Sequence, residues 1–324
     1  MTEAADALPA PVLSLVVPMF NEAANLDHLF TRLTQVLEGI GEPYEIVCVD
    51  DGSHDDTVAR LLDHHQRDAR IKLVELSRNF GKELALTAGL HHAAGQAVVM
   101  IDADLQHPPE TIVEMMAKWR EGFEMVIAVR RDREHESAFK RLAARAFYDF
   151  FGRVSEVRLP PGAGDFRLLD RKVVNVLNAM PEHSRFMKGL YAWVGFRQVI
   201  IAFDVADRTH GETKFNLFRL WRLAIDGITS FTSLPLKVWT FIGMLVATLA
   251  FLYGVLFIVK TLILGIDVPG YPSLIVAITF FSGVQLISLG VIGEYLGRVF
   301  AEVKNRPLYV VRSAHGCRRA VDKD

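Results

Sequence analysis

The stretch Ala97-Val98-Val99-Met100-Ile101-Asp102-Ala103-Asp104-Leu105-Gln106-His107-Pro108-Pro109 decides the fold. Its first five residues form a short β-rich apolar run, the pattern of a strand inside a sheet rather than of an amphipathic helix. Two carboxylates at alternate positions follow at once, and then a proline pair where a helix can open, since proline is tolerated in the first helical turn. In an open α/β sheet the edge just beyond the strand ends is where ligands sit.

The same grammar extends on both sides. Leu13 to Val17, Glu45 to Val49, Ile71 to Leu76 and Met125 to Val129 are further strand-like runs, separated by helical patterns. Between the first two, Leu26, Leu29, Phe30, Leu33, Val36, Leu37 and Ile40 share one helical face. Ser53 with Asp56 three residues on resembles a capping box opening the next helix. Strands alternating with amphipathic helices predict an α/β class with a mainly parallel sheet. The first two runs also end in polar clusters, Pro18-Met19-Phe20-Asn21-Glu22 and Asp50-Asp51-Gly52-Ser53. Carboxylates there can accept hydrogen bonds from a ribose or a base, although helix capping alone accounts for Asn21, Ser53 and Asp55.

Asp102 and Asp104, with the amide oxygen of Gln106 two residues further on, offer hard oxygen ligands suited to Mg²⁺ or Mn²⁺. Such an ion would neutralise a diphosphate leaving group, an effect worth most in a water-poor cleft. The histidine pairs His64-His65 and His91-His92 lack the i, i+4 spacing of a zinc site and have no cysteine cluster beside them.

The chain has 324 residues, 51% of them hydrophobic, and a formal net charge of −2. The charge balance excludes a general nucleic-acid binder, whose footprint is an excess of lysine and arginine. Cys48 lies in an apolar run and Cys317 in a basic region, which argues against a disulfide framework and for a reducing compartment. Residues Met1 to Pro11 do not have the pattern of a signal peptide. Val238 to Val259 is free of charge and as a helix would span about 33 Å, a match to a bilayer core. Ser273 to Gly293 is a second such run, and the Gly- and Pro-punctuated Leu264 to Pro272 between them carries no lysine or arginine. These runs predict a two-helix transmembrane hairpin. The basic residues after it, Arg298 to Lys323, place both termini and the N-terminal domain in the cytoplasm. Phe215 to Leu236 mixes Arg219, Arg222 and aromatic residues in the manner of interfacial helices.

In this order, the motifs resemble the family-2 glycosyltransferases of the GT-A fold, and within them the polyprenyl-phosphate glycosyltransferases. The motifs are Val17-Pro18-Met19-Phe20-Asn21-Glu22, Val49-Asp50-Asp51-Gly52-Ser53, Asp102 to Pro109, Gly164-Asp165-Phe166-Arg167-Leu168 and Thr209-His210-Gly211-Glu212-Thr213-Lys214-Phe215. The closest resemblance is to bacterial bactoprenol glucosyltransferases; dolichol-phosphate mannose synthases and aminoarabinose transferases are related. The resemblance implies a flexible segment 1–11, a Rossmann-like GT-A domain with a mixed, mainly parallel sheet over 12–212, and interfacial amphipathic helices over 213–237. It implies further two membrane helices within 238–296, at about 238–261 and 270–293, and a basic cytoplasmic tail over 297–324. Pro18, Asn21, Glu22, Asp50, Asp51, Asp102, Ala103 and Asp104 would hold the nucleotide-sugar, and Asp102, Asp104 and Gln106 the Mg²⁺ or Mn²⁺. Asp102, Asp104, Asp165 and Arg167 would form the catalytic centre, and Arg130, Arg141 and Lys214 would contact phosphate or acceptor.

The implied reaction is an inverting transfer of a sugar, first of all glucose from UDP-glucose, to undecaprenyl phosphate at the cytoplasmic membrane. Such an acceptor is already ionised near neutral pH, so no dedicated general base is required. The alternatives left open are the same reaction with a GlcNAc, galactose, mannose or aminoarabinose donor, and a non-catalytic nucleotide-binding membrane scaffold. A two-helix hairpin buries little by itself, which makes a homo-oligomer reasonable.

Overall fold

A computed structural model describes residues 9–131, 163–180, 182, 185, 187–204, 234–264 and 270–317. Contact density divides the chain into two units, one holding the sheet and residues 307–324, the other holding the two long helices that follow.

In the first unit, among the described residues, eight strands form one mixed sheet: β1 (Leu13–Met19), β2 (Tyr44–Asp50), β3 (Ile71–Leu76), β4 (Ala97–Met100), β5 (Met125–Arg130), β6 (Ala163–Asp170), β7 (Gln198–Phe203) and β8 (Val311–His315). Their order is β7-β5-β6-β4-β1-β2-β3-β8. Pairing is parallel in β1–β2, β1–β4, β2–β3 and β5–β7, and antiparallel in β3–β8, β4–β6 and β5–β6. The helices of this unit are α1 (Leu26–Ile40), α2 (Thr57–Arg67), α3 (Lys82–His92), α4 (Thr111–Arg120), α5 (Arg171–Ala179) and α6 (Met187–Trp193).

Every residue of β2 and β4 is buried, which is why these strands read as continuous apolar runs rather than as alternating ones. The apolar face of α1 packs on the sheet through Leu26, Leu29, Phe30, Leu33 and Leu37. At the N-terminal ends of the parallel strands a polar network replaces apolar packing. Glu45 accepts from the Ser14 hydroxyl (2.5 Å), from the Ala94 N–H (2.6 Å) and from the Lys72 ammonium. Both carboxylate oxygens of Glu45 thus have partners, which offsets the cost of burying them. α3 lies so close on β1 that a Cβ on Gly89 would fall 2.2 Å from Val16 Cγ1, so only glycine fits.

Three features depart from the sequence reading. The motif Gly164–Leu168 lies within β6, inserted antiparallel between β4 and β5. β7 completes one edge of the sheet. Residues 311–315, read from sequence as part of a basic tail, form β8 on the other edge: Ser313 Oγ donates to Glu75 (2.8 Å), Arg312 binds Glu75 (2.9 Å), and His91 Nδ1 lies 2.7 Å from the Tyr309 hydroxyl. The capping box also gives way. α2 begins at Thr57, and Asp55 rather than Ser53 accepts its N–H (3.1 Å), while Ser53 Oγ accepts the Asn21 N–H (2.8 Å).

The second unit contains α7 (Leu234–Leu264), of 31 residues, and α8 (Tyr271–Val303), of 33 residues. Large apolar side chains stand exposed along both, among them Phe241 (70%), Leu262 (81%) and Val303 (75%). Among the described residues one stretch, Phe280–Val303, meets the length and hydropathy of a membrane-crossing helix.

Candidate active site

The C-terminal ends of β1, β2 and β4 and the start of α3 enclose a cleft of about 350 Å³. It is lined by Pro18, Met19, Phe20, Glu22, Asp51, Asn79, Gly81, Lys82, Ala85, Asp102, Ala103 and Asp104. The three polar clusters of the sequence therefore meet because β1 pairs on both sides, with β2 and with β4, and their carboxyl ends open together.

The turns that build the cleft hold one another. Asn21 adopts a left-handed φ of 57° and its Oδ1 accepts the His54 N–H (2.8 Å), which latches the β1 turn to the β2 turn. Asp50, 1% exposed, caps its own turn by accepting from the Gly52 and Ser53 N–H groups (3.1 Å each). Asp51 accepts from the Phe80 N–H (2.7 Å) with one oxygen and from the Gly81 N–H (2.9 Å) with the other. That carboxylate thus fixes the segment entering α3. Gly52, at φ 73°, allows the approach, because a Cβ there would stand 2.6 Å from the backbone of Arg78 and of Asn79.

The Asp102–Pro109 loop carries its own strain: Leu105, buried and non-glycine, sits at φ 56° immediately after Asp104. Left-handed backbone at such a residue costs on the order of 1–2 kcal/mol, and it persists where a site requires it. Among the described residues, ligand atoms of Asp102, Asp104 and His107 all lie within 4.8 Å of one another. His107 packs against Phe166 and Phe203 (ring centroids 4.9 and 5.6 Å), and its buried Nδ1 has no hydrogen-bond partner. Burial lowers the His107 pKa, against the pull of Asp102 and Asp104, so the ring is held neutral and able to ligate. Burial, and then the neighbouring Asp104, Asp55 and Asp102, raise the Glu22 pKa against its bond from Asn25. Two carboxylates and a neutral imidazole with a spare nitrogen are a donor set that fits Mn²⁺ well and Mg²⁺ through its oxygens.

Lys82 adds a cation. Its Nζ contacts Asp102 (2.6 Å to Oδ1, 2.8 Å to Oδ2) and Asp165 Oδ2 (3.0 Å). Burial alone would raise the Asp165 pKa, but Lys82, Lys188 and Arg167 outweigh it and the group stays ionised. Arg167 lies elsewhere in character: it is 2% exposed, its guanidinium sits 3.9 Å over the Tyr191 ring, and it donates to the Gly164 carbonyl.

The cleft thus unites Pro18, Glu22, Asp51, Asp102, Ala103 and Asp104 of the expected set. Asn21, Asp50 and Gln106 belong to the same turns without lining it, and Gln106 donates its N–H to Asp104 (3.1 Å). Asp165 joins through Lys82, and Arg130 is exposed at the end of β5. Arg141 and Lys214, the Thr209–Phe215 motif and most of the 213–237 segment lie outside the described residues. Sequence reasoning missed His107 as a third donor and the Asn79, Gly81 and Lys82 contribution. The signal for the latter was present, since Arg78-Asn79-Phe80-Gly81-Lys82-Glu83 is a polar cluster directly after a strand, like the other three.

The chain is similar in sequence to known proteins. The model of the glycosyl transferase family 2 domain matches residues 14–177. The chain is 56% identical to an uncharacterised glycosyltransferase of Synechocystis sp. over 94% of this chain and 96% of that relative. It is 45% identical to the SfII prophage-derived bactoprenol glucosyl transferase of Shigella flexneri, over 94% of this chain and 98% of that protein. Among solved structures, a mannosyltransferase from Pyrobaculum calidifontis in complex with GDP-Man and Mn²⁺ is 20% identical, covering 66% of this chain and 60% of that one, with a TM-score of 0.44. The chain belongs to glycosyl transferase family 2. It is accordingly a glycosyltransferase, with the GT-A, Rossmann-like mixed sheet as its catalytic scaffold.

Proposed function

We propose that this enzyme transfers a sugar, first of all glucose from UDP-glucose, to a polyprenyl phosphate such as undecaprenyl phosphate at the cytoplasmic face of a membrane. The observation that carries the reading is the convergence of Asp102 and Asp104 with Glu22 and Asp51 in one cleft at the strand ends, with His107 beside the two aspartates. The name of the Shigella flexneri relative, matched over nearly the full length of both chains, supports the acceptor and the sugar.

Pro18, Glu22 and Asp51 would bind the nucleoside, with Asn21 and Asp50 shaping the turns that present them. Asp102 and Asp104, with His107 or Gln106, would hold Mn²⁺ or Mg²⁺, which when bound supplies positive charge for the departing diphosphate. In an inverting displacement a phosphate oxygen of the acceptor forms a bond to the sugar C1 as the bond from C1 to the donor diphosphate breaks, and the electron pair leaves with the diphosphate. The acceptor oxygen carries no proton to remove, so Asp165, held ionised, orients rather than deprotonates. Arg130, Arg141 and Lys214 would offset repulsion between the two phosphates.

The helices Leu234–Leu264 and Tyr271–Val303 serve in this reading as the transmembrane hairpin, with both termini cytoplasmic and Leu264–Pro272 on the outer side. At 1.5 Å per residue each exceeds the roughly 30 Å of a hydrocarbon core, and their exposed apolar side chains are suited to lipid. Self-association in the membrane would follow from the little that such a hairpin buries alone.

Detergent-solubilised enzyme given UDP-glucose, undecaprenyl phosphate and Mn²⁺ should yield a glucosylated lipid, detected by mass spectrometry, and none when lipid or metal is withheld. A panel of UDP-GlcNAc, UDP-galactose, GDP-mannose and an aminoarabinose donor identifies the sugar. Asp104→Asn, nearly unchanged in volume, should abolish transfer and leave thermal unfolding unaltered. Undiminished transfer by that variant refutes the metal assignment; product formed without lipid phosphate refutes the acceptor.

A further inference from the structure

Lys82 is the first residue of α3, preceded by Gly81 at φ 98°. A helix N-terminus carries partial positive charge, so a lysine in the first turn works against the helix macrodipole. Such a local conflict marks a residue kept for another purpose. Among the described residues that line the cleft, Lys82 alone has a cationic side chain, in a lining that also holds the carboxylates of Glu22, Asp51, Asp102 and Asp104. An ammonium has three N–H donors. At Lys82 three carboxylate oxygens receive them: Asp102 Oδ1 and Oδ2 (2.6 and 2.8 Å) and Asp165 Oδ2 (3.0 Å). One side chain therefore ties the acidic loop after β4 to the strand β6 and occupies both oxygens of a carboxylate expected to ligate metal.

We propose that Lys82 is a resident counter-cation and positioning residue: it neutralises Asp102 and Asp165 in the donor-free cleft and must release Asp102 before a divalent cation can bind there. This rests on the reading of Asp102 and Asp104 as metal ligands. Its consequence is that the free enzyme holds metal weakly. The diphosphate donor, which brings its own negative charge, shifts the balance toward the occupied site. Without Lys82 the four cleft carboxylates would repel one another, and the cation would be bound before any nucleotide arrives.

The test measures Mn²⁺ alone binding to nucleotide-free, full-length protein, by electron paramagnetic resonance of the unbound ion. Lys82→Met keeps most of the length of the side chain and removes the charge. It should tighten Mn²⁺ binding by about ten-fold to a hundred-fold, the worth of a lost charge-assisted contact. Lys82→Arg, which keeps the charge, should stay near the wild-type affinity. Tightening is a readout that misfolding cannot mimic, and Lys82→Gln gives the same contrast should the methionine variant fail to fold. Unchanged or weakened Mn²⁺ binding in Lys82→Met and Lys82→Gln overturns the proposal. Asp102→Asn separates the two layers: loss of Mn²⁺ binding by this variant upholds the metal site whatever Lys82 does. Wild-type binding by it overturns the metal site itself.

Discussion

Replacing Glu83 by glutamine should change how the stability of this protein depends on pH. Glu83 lies in the first turn of α3, where its Oε2 accepts the Met187 N–H (3.1 Å) and so ties α3 to the start of α6. Burial, and then repulsion from Asp165, push its pKa up to about 7, against the bond from Met187 and the attraction of Lys188 and Lys82. The unfolded chain releases this proton near pH 4.5, the folded one near pH 7. Between those values the folded state holds more protons than the unfolded state, so stability falls as pH rises through the window and is level above it. A shift of that size is worth about 3 kcal/mol at pH 8. For a domain of about 200 residues, 1 kcal/mol moves Tm by about 2–4 °C, so the effect spans several degrees. Glutamine keeps an acceptor for Met187 and cannot ionise. Glu83→Gln should therefore match the wild type near pH 4.5 and melt several degrees above it at pH 8. Differential scanning fluorimetry of both proteins in detergent over pH 4.5–8 makes the comparison. Parallel melting curves across the range would refute the reasoning, since Glu83 would then be solvated or fully compensated.

Two further outcomes follow from the packing around the cleft. Gly52→Ala forces a Cβ against the Arg78 and Asn79 backbone at a left-handed position; it should cost about 1–2 kcal/mol from φ alone and weaken nucleoside diphosphate binding, read by thermal unfolding and calorimetry. Unaltered nucleotide affinity would show that the Asn79–Gly81 segment does not shape the site. Glu75→Ala removes the acceptor of both Arg312 and Ser313, and should cost about 1–3 kcal/mol and speed hydrogen exchange over residues 311–315 without changing exchange in β1 and β2. Equal exchange in β8 would mean that backbone pairing alone secures that edge.

The parallel core was legible because burial on both faces leaves a local mark: Leu13–Met19, Tyr44–Asp50 and Ala97–Met100 are runs with almost no polar interruption. Their polar ends were legible for the complementary reason, since the apolar run stops abruptly in carboxylates at the sheet edge where ligands sit. Sequence alone therefore determined the α/β class, Asp102 and Asp104 as a paired acidic site, and Pro18, Glu22 and Asp51 as its neighbours. β6 and β8 were hidden because Ala163–Asp170 and Val311–His315 carry arginine, aspartate or histidine and show no clean period; their strand form comes from hydrogen bonds to β4, β5 and β3, contacts remote in the chain. The same long-range pairing decided what no local pattern could: it brings Asp165 from β6 to Lys82 on α3 and Lys82 to Asp102 after β4, and it sets His107 between Phe166 and Phe203 with a nitrogen left over. Spacing along a chain records which residues share a strand or a helical face, whereas the charge balance of this cleft is set by which strand ends the sheet places side by side.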